Sequence, residues 1–347
     1  MHAALDALLN DRHGIDLPTW RSFWDQLRDG GLARGESVAV LASMASRLPD
    51  ADSLQSLLES LAERRPATTV ELDESVNIVG TGGGPKTFNI STAAAFVAAA
   101  MGVRVVKTGS RGYTSGCGSV DLLEKLGIGL TSSYEQTLHT LDRFGIAFAG
   151  YFVYPGELAL LAKSIFPMGM RSFGRFLNPL GPFLASLPVS AQVTGVSAHS
   201  VLPTLRRLAA SVDNRTVWLC ANDLGADELL GFADNVIYTN EASSPIVLPR
   251  RPLPSAGTLH DLRPADASSV VGHFLDVLGG HGGPVATHTI CLNAASMAVA
   301  SRQRVGWADA LEAAGEAVRS GAALELAIGM KSSMERKPFL EKVGAHA

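Results

Sequence analysis

Cysteine is scarce in this chain: Cys117, Cys220 and Cys291 are its only three, set far apart and with no ligand spacing. That usage excludes a disulfide framework and fits a reducing compartment. Charge is sparse as well, at 18% of residues, with a net charge of −4 and no basic tail or block. A non-specific nucleic-acid binder needs many phosphate-neutralising cations, so this balance counts against one. Long hydrophobic runs are also missing. The most apolar stretches, such as Ser91–Val106, are rich in Ala and Gly and fall short of the ~20 apolar residues that span a bilayer. No membrane partner is expected. The opening MHAALDALLNDRHG carries charges too early for a secretory signal, which predicts a cytoplasmic protein.

What is present is apolar material. At 46% hydrophobic over 347 residues, the chain can bury one large core or two modest ones, which argues against disorder. Residues 1–65 show helical spacing in WRSFWDQL, SVAVLASMASRL and LQSLLESLAERR. RRPATTVELDES has no periodicity and reads as a linker. From Val76 the pattern alternates: a short apolar strand ending at Gly80, a glycine loop, an Ala-rich helix, a strand over Val103–Val106, another glycine loop, and a helix around Val120–Leu126. Further elements follow at Gln192–Val196, Val201–Ala210 and Thr216–Cys220. This alternation predicts an α/β fold, with a mostly parallel central sheet and helices around it. The C-terminal part, from Asp266 on, reads as helical again. The Pro-rich SSPIVLPRRPLP reads as an irregular crossing or edge segment. The plan is a small helical domain over 1–68, which both chain ends can share, and a larger α/β domain over 74–340.

Gly80-Thr81-Gly82-Gly83-Gly84-Pro85-Lys86-Thr87-Phe88-Asn89-Ile90-Ser91-Thr92 joins the first strand to its helix. Glycines let a phosphate approach the backbone and reach its N–H donors. The following helix adds its positive end. Ser91 and Thr92 can cap that helix or turn to a phosphate or metal. A plain turn with a capped helix is the bland alternative. Neither a Walker A sequence nor a dinucleotide fingerprint is present. The run G-T-G-G…T-F-N-I-S-T-A resembles the diphosphate-binding signature of anthranilate phosphoribosyltransferases, a branch of the nucleoside phosphorylase class II fold. The resemblance implies that Gly80, Thr81, Gly82, Gly83, Thr87, Asn89, Ser91 and Thr92 bind 5-phosphoribosyl diphosphate (PRPP).

The second loop runs from Lys107 through Thr108, Ser110, Arg111 and Ser119 to Asp121. Its cations, hydroxyls and glycines suit an anionic ligand, with Arg111 as a fork; surface cations on a solvated turn are the alternative. The resembling family has K-H-G-N-R-S-x-S-S-x-x-G-S-x-D here, which adds Lys107 and Ser119 to the PRPP site and gives Lys107 a catalytic role. Thr108 and Ser110 replace the histidine and asparagine that face the family's acceptor. The run R-G-Y-T-S-G-C-G-S drifts toward the pyrimidine nucleoside phosphorylases. The first loop is one residue shorter than the family pattern, and Gly84-Pro85 replaces an Asp-Gly.

Met168–Leu180 is similar to the family's L-G-x-R-T-x-x-N-x-x-G-P-L. Arg171 then matches the arginine on the acceptor carboxylate, a catalytic and acceptor-binding role, and a guanidinium is a natural partner for a planar carboxylate. Asn178-Pro179 stands for the Gly-Pro beside the acceptor ring, and Arg175 replaces an asparagine. Asp227-Glu228 falls where the family has D-G-x-D-E. Hard oxygen ligands beside a diphosphate suit Mg²⁺, and the family pattern adds Ser91 as a third ligand. Asn293-Ala294-Ala295 looks like the family's N-A-A helix and reads as packing.

These features predict a Mg²⁺-dependent phosphoribosyltransferase acting on PRPP and a small aromatic or heteroaromatic acid, anthranilate-like but departing from anthranilate. A nucleoside phosphorylase of the same fold, or a non-catalytic nucleic-acid-binding relative, are the alternatives. The resemblance also implies a homodimer.

Overall fold

The computed structural model describes residues 1–10, 14–112, 117–250, 257–266 and 268–335. Four helices lead: α1 (Ala3–Asn10), α2 (Leu17–Asp29), α3 (Glu36–Ser46) and α4 (Ala51–Ala62). Helix α2 shows why they form where they do. The Asp16 side chain accepts from Thr19 N, Pro18 sits in the first turn, and Gly30 closes the helix at φ 73°. Its inner face carries Trp20, Phe23 and Trp24, all buried. The two indoles still find acceptors: Trp20 Nε1 donates to Ser53 O and Trp24 Nε1 to Ser60 Oγ.

The chain then alternates through β1 (Leu72–Gly80), α5 (Ile90–Ala100), β2 (Arg104–Lys107), α6 (Ser119–Leu126), α7 (Tyr134–Phe144) and β3 (Ile146–Phe148). Next come α8 (Gly156–Ser164), α9 (Gly174–Leu184), β4 (Val189–Gly195), α10 (Leu202–Ala210), β5 (Thr216–Asn222), β6 (Asn235–Thr239) and β7 (Ala242–Leu248). Helices α11 (Val270–Leu278), α12 (Pro284–Ala300), α13 (Trp307–Arg319) and α14 (Ala322–Glu335) follow. The strands form one sheet in the order β3-β2-β1-β4-β5-β6-β7. The first five run parallel and the last two pairings are antiparallel.

The predicted α/β class, with its mostly parallel sheet, is therefore present. Strand β1 lies inside the sheet, and the strand order leaves it toward β2 on one side and β4 on the other. Such a switch point opens a crevice at the carboxyl ends of the strands, where ligands of parallel sheets bind.

Alternating β5 residues face two cores. Trp218 and Cys220 join Val76 and Ile78 of β1 in the larger one, shared with α5 and α11–α14. On the other face, β5 supplies Val217, Leu219 and Ala221 to a second core with α1–α4, Leu161, Phe173, Phe176 and Leu205. Thus α8–α10, from the middle of the chain, complete the N-terminal helical layer. The C-terminal helices cover the opposite face, contrary to the expectation that both ends share one unit.

The expected linker also ends sooner. β1 begins at Leu72, which is fully buried, but its register shifts between Leu72 and Val76, and Glu74 sits at φ 54°. That bulge breaks the period-two pattern by which a strand is read. Pro245 lies in outermost β7, as an edge proline should. The rest of that Pro-rich stretch, residues 251–254, lies outside the described residues. Among the described residues, no helix is long and apolar enough to cross a membrane.

Candidate active site

The first glycine loop leaves β1 at the switch point. Thr81 N donates to Gly195 O, at the end of β4, at 2.8 Å. Gly82 N donates to Asp227 Oδ2, also at 2.8 Å. Gly82 and Gly83 adopt φ values of 63° and 82°, which side chains rarely allow. Ser197, just beyond β4, fastens the loop: its hydroxyl donates to Gly82 O and its N–H to Thr81 Oγ1. Glycine is also required at Gly80 and Gly195, for space. A Cβ at Gly80 would meet Asp227 Oδ2 at 2.1 Å, and one at Gly195 would meet Asp227 O at 1.7 Å. These close approaches seat Asp227 against the ends of β1 and β4.

Glu228 completes the acidic couple. Thr87 Oγ1 donates to its Oε1 at 3.3 Å, while its Oε2 is buried without a partner. Burial raises both carboxyls above their ordinary range. The effect is greater for Glu228, which also feels the charge of Asp227. For Asp227 the N–H of Gly82 works in the opposite direction.

Lys107, at the end of β2, points to the same place. Its ammonium donates to Ile78 O at 3.0 Å and to Ser91 Oγ and Thr108 O at 3.3 Å. Burial lowers its pKa to about 8, against the opposing pull of Asp227 and Glu228. Ser91 opens α5 beside it. Thr92 is fully buried and its hydroxyl has no partner, so it faces the interior. Asn89 sits at the N-cap of α5, and its side chain hydrogen-bonds the Cys117 thiol of the second loop. Ser119 begins α6, and its hydroxyl donates to Ser110 O at 3.4 Å. Contacts thus link Gly82 to Asp227, Thr87 to Glu228 and Ser91 to Lys107, whose ammonium feels both carboxylates.

The acceptor-side residues are more dispersed. Thr108 is buried; its N–H donates to Asn77 Oδ1 at 3.1 Å, and its hydroxyl meets Asn77 and the Tyr154 hydroxyl. Ser110 is exposed. Arg111 pairs with Asp121 and Glu124, so the expected anion fork is a surface ion-pair cluster. Arg171 and Arg175 are exposed, at the junction of a 3₁₀ turn (Met170–Phe173) with α9. Neither side chain has a hydrogen bond or ion pair among the described residues. Asn178, one turn after Arg175, brings its amide within 3.6 Å of where a Gly82 Cβ would lie, and the next residue, Pro179, is buried. A helix places residues three apart on one face, so Arg175 shares a face of α9 with Asn178. Residues 113–116 of the second loop lie outside the described residues.

Sequence reading missed Asn77, Ser197 and Asn222, because a lone polar residue at a strand end carries no motif. It assigned Asn293 to packing, yet Asn293 bonds the backbone beside Glu228.

Comparison with known proteins follows the same lines. The family model described as "Glycosyl transferase family, a/b domain" matches residues 72–324. The chain belongs to this family. Among curated members, the anthranilate phosphoribosyltransferase of Salinibacter ruber is 31% identical, over 85% of this chain and 88% of that protein. That of Desulfitobacterium hafniense is 31% identical, over 86% of this chain and 85% of its own. Among solved structures, the family enzyme of Thermus thermophilus aligns with a TM-score of 0.76 at 23% identity, over 96% of this chain and 100% of its own. The Saccharomyces cerevisiae enzyme, solved with PRPP and Mg, aligns with a TM-score of 0.72 at 20% identity, over 91% and 92%. The family is therefore evident from sequence, and its fold from structure.

Proposed function

We propose that this protein is a Mg²⁺-dependent phosphoribosyltransferase that moves phosphoribosyl from PRPP to an aromatic or heteroaromatic acid. The observation that supports this reading is the linkage of Gly82 to Asp227 by a hydrogen bond, and of Lys107 to Asp227 and Glu228 by charge, at the carboxyl ends of β1 and β2. The curated relatives named above are anthranilate phosphoribosyltransferases, which favours the same reaction class.

The residues present fit a magnesium ion. Glu228 Oε2 is an orphaned buried oxygen, Asp227 precedes it, and Ser91 Oγ sits 3.3 Å from the Lys107 ammonium that feels both carboxylates, so the hard oxygens are of the right kind. Asp227, Glu228 and Ser91 would hold the ion. When bound, it offsets charge on the departing diphosphate.

In the transfer, the lone pair of the acceptor nitrogen forms a bond to C1 of ribose. The C1–O bond breaks, its electron pair leaves with the diphosphate, and the nitrogen releases a proton. The protein's part is electrostatic positioning. Lys107 is a fixed charge beside the couple. The N-terminus of α5, with Asn89 and Ser91, and the backbone around Gly83 face the phosphates and ribose. Arg171, with Arg175 beside it, orients the acceptor carboxylate.

The Thr108 hydroxyl is engaged by Asn77 and Tyr154, so it offers little to an aromatic amine. We therefore assign an acceptor related to, but other than, anthranilate. The same reading makes residues 1–68, completed by α8–α10, and the α/β remainder of 74–340 the two domains of a cytoplasmic homodimer.

Calorimetry of PRPP binding with and without Mg²⁺ tests the reading. Wild type binds only with the metal, and the double variant Asp227→Asn, Glu228→Gln loses that binding. Unchanged binding in the double variant refutes the metal assignment. Magnesium-independent phosphorolysis of a pyrimidine nucleoside would replace the reading with a phosphorylase.

A further inference from the structure

We propose that Asn293, on α12, is a positioning residue that holds the acidic couple in its metal-binding arrangement. The proposal rests on the assignment of Asp227 and Glu228 given above.

The couple lies between β5 and β6, in backbone that forms no helix or strand. Buried N–H and C=O groups there need outside partners. Three asparagines supply them, since an amide offers both donors and acceptors. Asn222, at the end of β5, donates to Ala226 O at 3.0 Å and Glu228 O at 2.8 Å, and accepts from Leu224 N and Ala226 N. Asn235, at the start of β6, accepts from Leu230 N at 2.9 Å and donates to Leu230 O and Ala233 O. Both belong to the strands that flank the segment.

Asn293 differs because it reaches in from another layer, 64 positions along the chain. Its Oδ1 accepts from Leu229 N at 3.0 Å, and its Nδ2 donates to Leu229 O and Thr289 O at 2.9 Å. It thereby grips both backbone groups of the residue after Glu228. The side chain is 3% exposed, so water does not replace these bonds.

Helix α12 also packs against α5, whose first turn carries Ser91. Asn293 is thus the joint between the carboxylates of one loop and the helix that brings the hydroxyl. A metal gains affinity when its ligands are held in place beforehand, and lost outer partners typically weaken binding 10- to 100-fold.

The test measures how much Mg²⁺ is needed to half-saturate binding of inorganic pyrophosphate, by calorimetry, with melting temperatures recorded alongside. Asn293→Asp keeps the shape but replaces the donor with an acceptor. Asn293→Ser shortens the side chain without adding a charge, in case the first variant does not fold. Asn240→Ser is the control: Asn240 also bonds three backbone groups, at Val212, Arg215 and Val217, but away from the couple.

The expected result is about a tenfold rise in half-saturating Mg²⁺ for the Asn293 variants and none for Asn240→Ser. A folded Asn293 variant with wild-type Mg²⁺ dependence overturns the proposal. So does an equal rise in Asn240→Ser, which would mark general loosening. If wild type itself binds pyrophosphate without regard to Mg²⁺, the underlying metal assignment fails instead.

Discussion

Gly82 N–H donates to Asp227 Oδ2 at 2.8 Å, across 145 positions of sequence. The contact joins the two loops proposed to handle the diphosphate and the metal into one unit. It also means that one glycine N–H serves a carboxylate, leaving Lys107, the α5 N-terminus and the backbone near Gly83 as the nearest positive groups.

The space around Asp227 is the first point to probe. Gly80→Ala sets a methyl group 2.1 Å from its carboxylate, which must move. The expected outcome is a loss of about 1–3 kcal/mol in urea unfolding, together with Mg²⁺-dependent PRPP binding weakened at least tenfold by calorimetry. Gly272→Ala, in α11, where a Cβ meets nothing within 4 Å, should gain up to about 1 kcal/mol and bind normally.

Lys107 carries a stability signature. Its pKa falls from 10.5 to about 8, so between those values the unfolded chain keeps a proton that the folded one releases. Wild-type stability from this group therefore rises with pH across that window, and at neutral pH the buried charge costs about 3 kcal/mol. Lys107→Met should be at least as stable as wild type at pH 7, with an advantage that shrinks as pH approaches 10.5, while PRPP binding is lost. A variant much less stable than wild type at pH 7 would show that the ammonium contributes net stability.

On the acceptor side, anthranilate should turn over weakly or not at all, read as persistence of its fluorescence in the presence of PRPP and Mg²⁺. Efficient product formation would contradict the weight placed on Thr108 and Ser110. With the true acid acceptor, Arg171→Ala should raise KM by tenfold or more, because a charge-assisted pair is removed. Diphosphate release across a panel of aromatic acids identifies that acceptor.

The N-terminal helices have their own pH dependence. Glu36 accepts from His2 N at 2.7 Å and Ala33 N at 2.8 Å, and these bonds lower its pKa. A lowered carboxylate pKa gives stability that is present above the ordinary value near 4.5 and lost as pH falls through the folded one. Glu36→Gln should remove that acid-side dependence, seen as a flatter melting curve against pH between about 5 and 3.

The alternating elements over Val76–Leu126 and Gln192–Cys220 were legible because apolar strands and helices, punctuated by glycine loops, repeat locally, whereas α7, α8 and α9 between them were not read. β3 was too short to read. The antiparallel β6–β7 return follows a loop whose contacts are tertiary, and the β1 bulge hid its first residues. The glycine loop and the acid pair were legible as motifs. Their support by Asn222, Ser197 and Asn293 was not, since each is a single polar residue whose partners lie elsewhere in the chain.

By itself, the sequence determined the family, the α/β class and the residue types that can meet a diphosphate, because these depend on local pattern and spacing. Only the folded chain decided that Arg111 serves a surface ion pair, that Thr108 is engaged by Asn77 and Tyr154, and that Asp227 lies against Gly80 and Gly195. Those outcomes depend on which groups approach across the sheet, and close approach between distant segments leaves no local trace in sequence.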